Sequence, residues 1–132
     1  MRRLLLDTSA YSAFFRGHAG VVREVRTADE ILISPVVLGE LHAGFRRGTH
    51  RQRNEHELEA FLMSPRVNTL VIDSETALRF AEIVTFLRRS GTPVPTNDIW
   101  IAASAMQYGA TLLTTDAHFD RIPQVLVAFH SP

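Results

Sequence analysis

The chain has 132 residues, 45% of them hydrophobic and 21% charged, which is the composition of one globular domain and not of a disordered segment. It has no cysteine, which excludes disulfides, thiolate metal sites and Cys nucleophiles, and all 14 of its Lys/Arg positions are Arg, so a P-loop and Schiff-base chemistry are excluded for want of a Lys. These cations balance 14 acidic residues, and the net charge of zero argues against coating nucleic acid through bulk charge while leaving room for a local basic patch.

Met1 to Leu6 begins like a secretory leader, but Asp7 stops the apolar run after Leu4-Leu5-Leu6. A leader needs about 7–15 apolar residues and a membrane span about 20. The expectation is a soluble, cytoplasmic protein with no membrane association. Leu4-Leu5-Leu6 reads as a buried strand with Asp7 at its end, and a helix follows from Thr8 or Ser9. Residues 21–28 predict a short helix and Ile31-Leu32-Ile33 a second buried strand. Ser34-Pro35 then supplies an N-cap and a first helical residue for a helix reaching about Phe45.

Residues 50–63 read as a polar helix stopped by Pro65, and residues 67–72 as a strand. Ser74 is the expected cap of an amphipathic helix with Ala77, Phe80, Ala81, Val84 and Leu87 on its apolar face, ended by Gly91. After the stiff Thr92-Pro93-Val94-Pro95 connector, Thr96 or Asn97 is expected to cap a helix that stops at Gly109. Strands over residues 111–114 and 125–129 complete the chain. Buried strands between amphipathic helices predict an α/β fold, a three-layer α/β/α sandwich around a central, mostly parallel sheet.

In such sheets ligands bind outside the carboxyl ends of the strands. Asp7 and Asp116 fall at two such ends, Asp98 in the first turn after the proline connector, and Glu40 inside an otherwise apolar helix. Each alone is ordinary, since Asp is favoured at strand ends and helix starts. Together they predict one anionic pocket. Two unit charges about 6 Å apart at an effective dielectric of about 20 repel by roughly 3 kcal/mol, so the pairs among four acids reach roughly 15 kcal/mol. That rivals the roughly 5–15 kcal/mol stability of a whole domain. The cluster must protonate, splay or hold a cation, and an all-oxygen site suits Mg²⁺ or Mn²⁺. Such an ion stabilises charge developing on a phosphate and activates water.

Four segments then carry a family resemblance: Leu5-Leu6-Asp7-Thr8-Ser9, Ser34-Pro35-Val36-Val37-Leu38-Gly39-Glu40-Leu41, Asn97-Asp98-Ile99-Trp100-Ile101-Ala102-Ala103, and Ala110 to Phe119 continuing to Ile122-Pro123. In this order and spacing the chain resembles PIN-domain ribonucleases, and among them the VapC-type toxins of bacterial toxin–antitoxin pairs. The resemblance covers nearly the whole chain and implies a single PIN-like nuclease domain over residues 1–132. It makes Asp7, Glu40, Asp98 and Asp116 the catalytic, metal-binding acids, and gives Thr8, Ser9, Asn97 and Thr115 the task of orienting carboxylates or metal waters. It further implies Mg²⁺- or Mn²⁺-dependent endonucleolytic cleavage of RNA, a cognate VapB-like antitoxin, and a homodimer. At position 118, where many relatives carry Asp, this chain has His118, which reads as a polar loop residue. Asp120 is a candidate extra acid, expected to share a helical face with Asp116, against a reading as a solvated charge or a partner of Arg121.

Arg46, Arg47, Arg51 and Arg53 cluster around the Gly48-Thr49 turn as candidate RNA-binding residues, weighed against a solvated loop balanced by Glu55, Glu57 and Glu59. Tyr11, Phe14 and Phe15 are candidates for stacking bases or seating an antitoxin segment, and equally for plain core or a dimer face. Two other functions compete. A haloacid-dehalogenase-like Mg²⁺ phosphatase needs a second Asp where Ser9 stands and usually a Lys. A non-catalytic PIN-like module binding only RNA or a partner sits poorly with four acids retained.

Overall fold

The computed structural model describes residues 1–132. In chain order the elements are β1 (Arg3–Leu6), α1 (Thr8–Phe15), α2 (Ala19–Thr27), β2 (Glu30–Ile33), α3 (Pro35–Arg47), α4 (Arg51–Leu62), β3 (Val67–Thr69), α5 (Ser74–Ser90), α6 (Thr96–Tyr108), β4 (Thr111–Thr114), a 3-10 turn (Ala117–Arg121) and β5 (Val127–Phe129). The strands form one sheet in the order β3-β2-β1-β4-β5, and every pairing is parallel. Helices flank the sheet, which is the α/β architecture expected.

The reason lies in the strand sequences. Leu4, Leu5 and Leu6 of β1, Ile31 and Ile33 of β2, and Leu112 and Leu113 of β4 have no solvent exposure. Continuous apolar runs of this kind suit strands covered on both faces. Helix α6 supplies much of the cover, because Ile99, Ile101, Ala102, Ala103, Ser104 and Ala105 are all buried. The three alanines let its backbone approach its neighbours closely. Chain order reverses at β1, which has β2 on one side and β4 on the other. That reversal opens a crevice at the carboxyl ends of β1 and β4, the place where open α/β sheets bind ligands.

Several elements differ from the expectation at their edges, each for a visible reason. The cap of α5 is Asp73 and not Ser74, because Asp73 Oδ1 accepts the backbone N–H of Glu75 and Thr76 while the Thr76 hydroxyl accepts from the Asp73 N–H. The buried stripe of α5 is Thr76, Ile83 and Leu87. Ala77 and Ala81 face solvent, since two methyl groups bury too little area to set the rotation of a helix. Strand β3 stops at Thr69 because the Tyr108 hydroxyl takes over the backbone of Val71, accepting from its N–H and donating to its carbonyl. Helix α2 starts at Ala19, where His18 Nδ1 accepts the Val21 N–H. Strand β5 begins only at Val127, after Val125 has closed a turn onto the Ile122 carbonyl. Neither Thr96 nor Asn97 caps α6, which follows Pro95 with no side-chain cap.

The aromatic side chains of α1 are packed among themselves and against α4. Phe61 lies 5.4 Å from the Tyr11 ring and 5.9 Å from Phe15, centroid to centroid. The Tyr11 hydroxyl is buried without a hydrogen-bond partner, and burial, with Glu57 nearby, pushes its pKa up. No helix is long and apolar enough to cross a membrane.

Candidate active site

Asp7 is both the last word of β1 and the first of α1. It caps α1 by accepting the Ala10 N–H at Oδ1, 2.8 Å. The Ser9 hydroxyl donates to the same oxygen at 2.7 Å and the Thr114 hydroxyl donates to Oδ2 at 2.6 Å. The side chain is thus fixed from three directions at 4% exposure. Thr114 lies beside Asp7 because β1 and β4 run in parallel register, with Leu6 opposite Leu113.

Thr114 ties two acids together. Its hydroxyl donates to Asp7 and accepts the N–H of Asp116 at 2.9 Å. Asp116 in turn accepts the N–H of His118 at 2.9 Å, which caps the 3-10 turn. Glu40 reaches the same crevice from the second turn of α3. The Thr8 hydroxyl donates to its Oε1 at 2.6 Å, and Asn97 Nδ2 to its Oε2 at 3.3 Å. Asn97 does not cap α6 because it is already the second residue of the helix, past the cap position at Pro95. Asp98, in the first turn of α6, accepts no hydrogen bond from any protein donor.

Asp7, Glu40, Asp98 and Asp116 line one cleft together with Thr8, Ser9, Ser12 and Ile101. Its volume is about 310 Å³. The electrostatic cost is legible in Asp98, whose pKa is raised to about 6. Burial is the largest cause, and the negative charges of Asp116, Asp7 and Glu40 add to it. Burial also raises the pKa of Asp7, against the three hydrogen bonds that lower it. The charges of Asp116, Asp7 and Glu40 all bear on Asp98, so the four acids repel one another across the cleft. The donor set is hard oxygen, and Asp98 has both oxygens free of protein donors, so these residues fit a hard divalent ion.

Other residues stand differently from the sequence expectation. Thr115 reaches the cluster through its backbone, whose N–H donates to Ser9 Oγ at 3.0 Å, and not through its hydroxyl. Asp120 is exposed and does not line the cleft. It follows Asp116 in a turn of about three residues per turn, where positions four apart point some 120° away from each other. Arg121 is not its partner either, since Nη1 donates to the Pro93 carbonyl at 2.9 Å. His118 is exposed in the 3-10 turn, with its Nδ1 3.1 Å from Asp116 Oδ1. Thr114 and Ser12 were not foreseen. Thr114 carries a signal in hindsight, a polar residue in a buried strand two positions before an acid.

None of the candidate arginines lines the cleft. Arg46 and Arg47 end α3, Arg51 and Arg53 open α4, and all are exposed. Arg51 pairs with Glu55 at 3.0 Å, whereas Arg46, Arg47 and Arg53 have no acidic partner within 4.0 Å. Trp100 stacks on Phe80 at 4.1 Å, away from the acids.

Residues 4–125 match the PIN domain family profile. Ribonuclease VapC4 of Mycobacterium tuberculosis is 34% identical over 95 residues, which is 72% of this chain and 73% of that protein. The tRNA(fMet)-specific endonuclease VapC of Salmonella typhimurium is 28% identical over 130 residues, 96% and 97% of the two chains. Among solved structures, VapBC2 from Rickettsia felis, bound to a DNA fragment from its promoter, superposes with a TM-score of 0.85 at 25% identity, covering 96% of this chain and 97% of that one. With the acids that follow β1 and β4 and those of α3 and α6 gathered at the carboxyl ends of the strands, the chain belongs to the PIN-domain family, among its VapC-type ribonucleases.

Proposed function

We propose that this chain is a divalent-metal-dependent endoribonuclease, the toxin of a toxin–antitoxin pair, folded as one domain over residues 1–132. The observation that carries the reading is the convergence of Asp7, Glu40, Asp98 and Asp116 on one cleft, with Asp98 forced up to about 6. These four acids hold the ion, with Mg²⁺ as the resident metal and Mn²⁺ able to replace it. When bound, the ion offsets negative charge developing on the scissile phosphate and lowers the pKa of water. The chain supplies no nucleophile of its own. Ser9 and Thr114 keep Asp7 in one rotamer, and Thr8 and Asn97 do the same for Glu40. That rigidity is what a charge-stabilising site requires.

Arg46, Arg47 and Arg53, free of acidic partners, are offered to the RNA backbone. The similarity to VapBC complexes supports a VapB-like antitoxin as partner, and the toxin is proposed to be a homodimer. A phosphatase using an aspartyl-phosphate is disfavoured, because Ser9 stands where a second Asp is needed and there is no Lys.

Cleavage of RNA in Mg²⁺, in Mn²⁺ and in EDTA tests the reading. Cleavage is expected with either ion, none in EDTA, and a loss of at least about 100-fold in Asp7→Asn, which keeps the helix cap because Asn caps as well as Asp. Full cleavage by a folded Asp7→Asn variant contradicts it.

A further inference from the structure

Resting on the metal-site reading above, we propose that His118 contributes a ring nitrogen to the ion, making this a mixed oxygen–nitrogen site that takes a first-row transition ion such as Mn²⁺ more readily than an all-oxygen site would, while still holding Mg²⁺. One ligand atom each from Asp98, Asp116 and His118 lie within 4.8 Å of one another. Ligands about 2.1 Å from a common ion lie about 3 Å apart when adjacent in an octahedron and about 4.2 Å apart when opposite. The 3.1 Å between His118 Nδ1 and Asp116 Oδ1 is the adjacent spacing. An ion entering between them would take the place of the direct His118–Asp116 contact.

The ring is not placed there by the local fold. The cap of the 3-10 turn is made by the His118 backbone N–H on Asp116, which any residue type but Pro provides. The ring is half exposed, and Asp116 is its only polar partner. Its Nδ1 turns toward Asp116 while the rest of the ring stays in water. A ring nitrogen in place of one more oxygen changes selectivity in a defined direction. Imidazole is a poor exchange for water around Mg²⁺ and a good one for transition ions, whose affinities rise along the first row from Mn²⁺. Mn²⁺ is the weakest binder of that series, so it is the most demanding probe.

The test is Mn²⁺ and Mg²⁺ binding by competition, with pulsed electron paramagnetic resonance on the Mn²⁺-loaded chain, in wild type, His118→Ala and His118→Gln. Coupling of Mn²⁺ to a directly bound ¹⁴N is expected in wild type and not in either variant. Mn²⁺ affinity is expected to fall about tenfold in the variants while Mg²⁺ affinity changes less than about twofold. If Mn²⁺ binds wild type with no ¹⁴N coupling, or both ions weaken equally, the nitrogen ligand is overturned and the acidic site stands. If wild type binds neither ion at millimolar concentration, the metal-site reading falls and this inference with it. Should one variant fold poorly, the other and the wild-type spectrum still decide.

Discussion

Asp7 answers two demands that pull in opposite directions. As a helix cap and strand end it is buried and hydrogen-bonded, and in the proposed metal-binding role it must stay charged. Burial raises its pKa, and Thr114, Ala10 and Ser9 counter this in that order. Thr114 is thus the residue on which the charge of Asp7 most depends. Thr114→Val keeps the shape, removes the donor to Asp7 and the acceptor for the Asp116 N–H, and leaves buried groups unpaired. The expected cost is about 1–3 kcal/mol of stability, measured by urea denaturation, with cleavage falling at least about tenfold. A neutral Thr114→Val would show that the two acids are held by something else. The acids themselves were legible in the sequence, because their residue types and spacing carry the signal. Thr114 was not, because its role comes from the register of β1 on β4, a contact between residues 107 positions apart.

At the scale of elements, helix starts decide where the site residues land. Helix α5 is fastened by Asp73, whose pKa is lowered chiefly by the hydrogen bond from Gln107 of α6, then by the Thr76 backbone. Thr76 also donates to the Gln107 side chain, so the cap of α5 is welded to the helix that carries Asp98. A group with a depressed folded pKa stabilises the fold above its unfolded pKa and ceases to do so as pH falls through the folded one. Asp73→Ala is therefore expected to lower the melting temperature at neutral pH, and the deficit is expected to vanish in acid below the ordinary carboxylate range. A deficit independent of pH would deny the role of the charge. Sequence periodicity found every helix and strand, yet it placed the cap at Ser74 and turned the apolar face of α5 onto Ala77 and Ala81. Those choices depend on the Gln107 and Thr76 contacts across helices, which no window of one helix contains. The 3-10 turn after β4 escaped for the same reason: it is defined by the Asp116 cap and by Phe119, which packs into the core with no exposure.

Across the whole molecule, a parallel sheet with its order reversed at β1 collects acids from four elements, and the fold tolerates them at a cost. Asp98 has its pKa raised from 3.8 to about 6. A raised folded pKa contributes stability that is present below the unfolded value and lost as pH rises through the folded one. The metal-free chain should therefore lose stability from this group between about pH 4 and pH 6. A divalent ion bound at the proposed site is predicted to restore it, because a ligand that binds only the folded state stabilises by mass action.

Thermal melting of the metal-free wild type and Asp98→Asn, at pH 4 and pH 7.5 and with and without millimolar Mn²⁺, tests this charge imbalance most directly. At pH 7.5 without metal the Asn variant is predicted to melt above wild type, and at pH 4 the two to coincide. Mn²⁺ is predicted to raise the melting temperature of wild type at pH 7.5 and to do little for the variant. A metal-free Asp98→Asn that melts below wild type at pH 7.5, or a wild type indifferent to Mn²⁺, would contradict the account.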